Sequence, residues 1–132
     1  MDNSAFVAAF EDCTLPNTLF RHREHLRLAW LYLRDLPYAE AAVRMEESIR
    51  RYAAHHGAAE KYHHTVTLFW MRLVAAARDE TPGASTFEAF IAAHPHLLDK
   101  EILGRFYSAQ RLAGDQARRG WVEPDLAALK KL

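Results

Sequence analysis

The sequence predicts an all-α fold, a single-domain helical bundle of about four main helices followed by short C-terminal ones. Three observations carry that prediction. Alanine, leucine, arginine and glutamate dominate the 132 residues. No run of β-branched residues alternates with a period of two, and in every long segment the apolar residues recur at roughly 3.6.

Taken in order, the first helix covers Ser4 to Asp12, and Pro16 with Asn17 marks the turn into a second near Thr18 to Leu36. Pro37 can open the third, because proline is pre-organised for the first helical turn. That helix runs to about His56, with Tyr38, Ala42, Met45, Ile49 and Tyr52 facing inward and Gly57 as its stop. A fourth, from Ala59 to Asp79, buries Tyr62, Val66, Phe69, Trp70 and Leu73 before Thr81, Pro82 and Gly83 break the chain. Ser85 and Glu88 form a capping box for a fifth, which carries Phe87, Phe90 and Ile91 inward and ends at His94. A sixth around Leu98 to Tyr107, another from Ser108 to Arg119 and a loose tail complete the chain.

Half the residues are hydrophobic and 26% charged, which is the composition of a globular protein. With no repeat and no low-complexity tract, the expectation is one domain over residues 1–132. Seventeen basic residues balance seventeen acidic ones, and the arginines are interspersed with carboxylates, so nucleic acid is not expected as a partner. The longest uncharged run, Tyr62 to Met71, is about half the length that a bilayer crossing needs, which argues against a membrane partner. The start, M-D-N-S-A-F, has an acidic residue where a signal peptide carries basic ones, and a cytoplasmic location is expected. Cys13 is the single cysteine, so an intrachain disulfide and a multi-thiolate metal centre are both excluded. Any metal would be held by nitrogen and oxygen.

The histidines carry the strongest chemical signal. In F-R-H-R-E-H-L-R-L-A-W the apolar stripe centres on Leu26, Ala29 and Leu33. At about 100° per residue His22 falls at its middle and His25 about 60° to one side. On the fourth helix His63 lies about 55° from the buried centre and His64 about 155° away. His22 and His25 from one helix and His63 from another would give a three-nitrogen face with open positions. His56, on the stripe of the third helix, is a fourth candidate or a partner to a ligand. Glu60 and Asp99 lie at element ends from which a carboxylate could turn inward. Trp30 and Trp70 would wall an apolar pocket, and Tyr62 beside His63 would supply a phenol as a catalytic proton donor or radical site.

Each of these residues also has a plainer reading. A single inward histidine is usually a core residue bonded to a carbonyl or carboxylate, whereas one cation satisfies several imidazoles at once. His55, His64 and His96 read as surface residues, and His94 as a helix-terminal one. H-R-E-H has the wrong spacing for the zinc-peptidase H-E-x-x-H. No G-x-S-x-G or phosphate loop occurs, and Cys13 has no basic neighbours to activate it.

The strings F-x-H-x-x-H-L-R-L-A-W, K-Y-H-x-T and W-V-E-P-D resemble those of a group of small, mostly uncharacterised bacterial all-helical proteins with the same arrangement. The resemblance spans Phe20 through Asp125. It singles out His22, His25, Tyr62, His63 and Thr65, and implies that Glu123, Pro124 and Asp125 matter. It attaches no activity. By themselves the last three read as a turn that pins the carboxyl terminus.

The expectation from sequence is therefore a metal-dependent enzyme acting on a small organic molecule. One transition-metal ion, copper, iron or zinc, would be held by His22, His25 and His63, and oxidative chemistry is favoured over hydrolytic. The alternative is a non-catalytic module that binds haem or another small ligand, or contacts a partner protein. A two-fold homodimer is the default assembly.

Overall fold

The computed structural model describes residues 1–129. They are all-α, with no strand among them. The helices gather into two compact units, Met1–Tyr62 and His63–Leu132.

In the first unit, α1 (Asn3–Glu11) starts at Asp2, whose carboxylate accepts the Ala5 N–H at 2.7 Å. It ends at Cys13, whose φ of 67° is the left-handed conformation that closes a helix. A 3₁₀ turn (Asn17–Leu19) and an extended Phe20 precede α2 (His22–Asp35). Helix α2 thus starts four residues later than expected. Its entry is set by Glu24, whose carboxylate reaches back to accept the Arg21 N–H at 3.0 Å. Pro37 opens α3 (Tyr38–His55), and Gly57, at φ 70°, stops it as the sequence predicts.

The buried stripe of α3 is Ala41, Met45, Ser48 and Tyr52, rotated from the expected one so that Ser48 replaces Ile49. The cause is polar. Tyr32 donates to Glu11 at 2.7 Å and lies 3.1 Å from the Ser48 hydroxyl, which drops its own proton onto the Met45 carbonyl at 3.3 Å. Glu11 also takes a two-pronged bond from Arg44 at 2.7 and 2.9 Å, so one carboxylate ties α1, α2 and α3 together. Arg44 is the chief reason that this carboxyl is held below its usual range.

In the second unit, α4 (His64–Glu80) is preceded by a separate 3₁₀ turn (Ala59–Lys61), so it too starts later than expected. Its buried face runs through Thr65, Phe69, Trp70, Met71, Val74 and Ala77. Helix α5 (Phe87–Ala93) buries Phe87, Phe90 and Ile91 as predicted. Thr86, not Ser85, is its cap, accepting the Ala89 N–H at 3.1 Å. The expected sixth helix is instead two 3₁₀ turns (Pro95–Leu98 and Lys100–Ile102) leading into a short α6 (Leu103–Phe106). Gly114 splits the expected seventh into α7 (Ala109–Ala113) and α8 (Asp115–Arg119).

The tail beyond α8 is pinned rather than loose. Thr65 donates to the Gly120 carbonyl at 2.8 Å and accepts the Val122 N–H at 3.2 Å. Tyr107 donates to the Val122 carbonyl at 2.6 Å, and burial pushes its pKa up to about 12. Asp125 accepts both the amide and the hydroxyl of Ser108, at 2.8 and 2.6 Å, and Leu126 donates to Phe106 at 2.9 Å. None of the helices is long and apolar enough to cross a membrane, among the described residues.

Candidate functional site

The late start of α2 puts His22 and His25 in its first turn. The extended Phe20 swings its ring into an aromatic group with Phe10, 4.6 Å away, and Tyr52, 5.4 Å away. His25 stacks on Phe20 with ring centroids 6.0 Å apart. On the other side of the ring pair in sequence, His56 tilts against Tyr52 at 4.3 Å. Tyr52 is locked by a bond from its hydroxyl to the Leu15 carbonyl at 2.7 Å.

Two atoms of this group are anomalous. The Nε2 atoms of His25 and His56 are sealed from solvent and make no hydrogen bond. Almost all buried polar atoms in proteins are paired, so an orphaned one needs a reason. Burial, reinforced by the neighbouring His22, pulls the pKa of His25 down to about 4. The ring is therefore neutral at ordinary pH, the form a metal ion requires.

The other sequence-selected residues of the first unit have different surroundings. Tyr62 lies under the Arg50 guanidinium, 4.1 Å from ring centroid to carbon. Trp30 is buried in the hydrophobic core of α2. Glu60 is exposed in the 3₁₀ turn.

The rest belong to the second unit. His63 is the N-cap of α4 and not a residue within it. Its Nδ1 accepts the Val66 N–H at 3.2 Å, which leaves Nε2 carrying the proton and donating it to the Leu112 carbonyl at 2.8 Å. Both nitrogens are occupied, and a metal would have to displace one of these bonds. The contrast in helical phase between His63 and His64 is correspondingly lost, since one precedes the helix and the other begins it. Thr65 is fully buried and holds the tail. Asp99 caps a 3₁₀ turn by accepting the Glu101 N–H at 3.0 Å. Trp70 packs edge-on against Phe69 at 5.2 Å. His94, assigned a structural role from sequence, bonds through Nε2 to the Thr81 hydroxyl at 3.1 Å.

Among the described residues no three histidine, cysteine, aspartate or glutamate side chains come together in a way that could hold a metal ion. Sequence reasoning also missed Arg72, whose guanidinium stacks 4.1 Å above Trp121 while its buried Nε makes no hydrogen bond. Its partner is 49 residues away, beyond the reach of any local pattern. Comparison of the chain with protein-family models, curated proteins and solved structures gave no match, so the site is read from its own chemistry.

Proposed function

We propose that the first unit takes up one transition-metal ion through His25, with His22 one helical turn away as its partner, and that the chain is a metal-dependent protein acting on a small organic molecule. The observation that carries this reading is the sealed, unpartnered Nε2 of a histidine whose ring stays neutral to low pH.

Copper suits such a site better than zinc. A zinc ion asks for four ligands in tetrahedral order, whereas a cuprous ion is content with two or three neutral imidazole donors. Copper also fits oxidation of the substrate with dioxygen taking up the electrons.

Titration of the full chain with cuprous ion against a colorimetric chelator tests the reading. One equivalent should bind to the native chain and to His64→Ala, and none to His25→Ala. Failure of the native chain to compete, or equal uptake by His25→Ala, would remove the proposal.

A further inference from the structure

We infer that the second unit carries a binding site for a small aliphatic carboxylate, built around Arg72 and independent of the histidines of the first unit. A cavity of about 520 Å³ opens there between α4, the 3₁₀ turns that follow α5, α6 and Ala127 to Leu129 of the tail. That volume lies within the range typical of small-molecule sites, roughly 300–1,000 Å³.

The walls and the charges both select the ligand. Leu73, Leu97, Ile102 and Phe106 give the cavity an apolar lining, suited to a hydrocarbon body. Two arginines, Arg72 and Arg105, and one carboxylate, Glu80, also line it, an excess of one positive charge that calls for a monoanion. His94 faces the same space with its Nε2 already bonded to Thr81.

Arg72 is the anchor. Stacking on Trp121 fixes the plane of its guanidinium, and its Nε–H is buried without an acceptor. That nitrogen is closed to solvent, so in this proposal the carboxylate meets the guanidinium at its outer edge, in a charge-assisted bond. Guanidinium geometry matches a carboxylate with two parallel bonds, which a lysine at the same place could not offer.

Decanoate is a suitable probe, used below its micelle concentration and followed by calorimetry on the full chain. It should bind with one site, and 1-decanol, which has the same body without the charge, should bind at least tenfold more weakly. Arg72→Gln should weaken decanoate at least tenfold and leave 1-decanol unchanged. Ala76→Phe, which fills the cavity, should abolish binding of both. Circular dichroism and thermal melting establish that each variant is folded, and the native comparison of acid with alcohol needs no variant. Absence of decanoate binding, equal affinity for the alcohol, or an unchanged affinity in folded Arg72→Gln would overturn the assignment.

Discussion

The His56 ring lies 4.3 Å from the Tyr52 ring, one helical turn before it, and Tyr52 is itself tied to the carbonyl of Leu15. The end of α3 and the loop after α1 are thereby fixed to one another through a single buried phenol.

Removing that hydroxyl tests the tie. Tyr52→Phe leaves the Leu15 carbonyl without its partner in a buried setting, and it should cost about 1–3 kcal/mol in urea unfolding. An unchanged midpoint with an unchanged slope would show that the bond contributes nothing.

The depressed pKa of His25 makes the metal-free protein acid-sensitive in a defined window. In the unfolded chain this histidine titrates near 6.5, in the folded one at about 4. Between those values only the unfolded chain takes up the proton, so stability is complete above pH 6.5 and falls as the pH drops toward 4. The loss amounts to about 3 kcal/mol over the interval, at about 1.4 kcal/mol per pKa unit. Unfolding free energies of the native chain and of His25→Phe, measured across this range, should diverge in slope. Parallel curves would contradict the burial of a neutral imidazole.

Glu11 acts lower on the pH scale. Arg44 holds its carboxyl below 4.5, so its contribution is present above the unfolded value and is lost as the pH falls through the folded one. Glu11→Gln should cost about 0.5–1 kcal/mol at neutral pH, a modest figure because the ion pair is partly exposed. Most of it should vanish in acid, and denaturation at the two pH values distinguishes this from a packing defect.

Gly57, at φ 70°, occupies a conformation that costs an L residue about 1 kcal/mol. Nothing lies within 4 Å of an added Cβ, so Gly57→Ala isolates backbone strain from crowding. It should lower the unfolding free energy by that amount, and no change would show that the α3 terminus relaxes freely.

The same glycine shows what could be read from the sequence. Gly57 after a periodic segment, and Phe87, Phe90 and Ile91 at helical spacing, are local signals, and the structure agrees with them. The entries to α2 and α4 are set differently, by single side chains folding back on the backbone. Glu24 does so for Arg21 and His63 for Val66, and an apolar period carries no trace of either bond. The inward phase of His25 was legible, and with it the burial of its ring. That His63 spends both nitrogens was not, because one of its partners is a main-chain carbonyl 49 positions on. Arg72 and Trp121 meet over the same separation, so the cavity they border has no signature in either stretch.

The bond from Thr65 to Gly120 spans 55 residues, and its consequence is kinetic. Ordering so long a segment costs closure entropy before any contact rewards it, with the cost rising as about (3/2)RT ln n. Contacts of that span form late, after the local turns of α4 to α8 have assembled. Docking of the tail should therefore lie on the native side of the folding barrier. Thr65→Val is then expected to accelerate unfolding with little effect on the refolding rate, a φ-value near zero at the position where the tail returns to the first turn of α4.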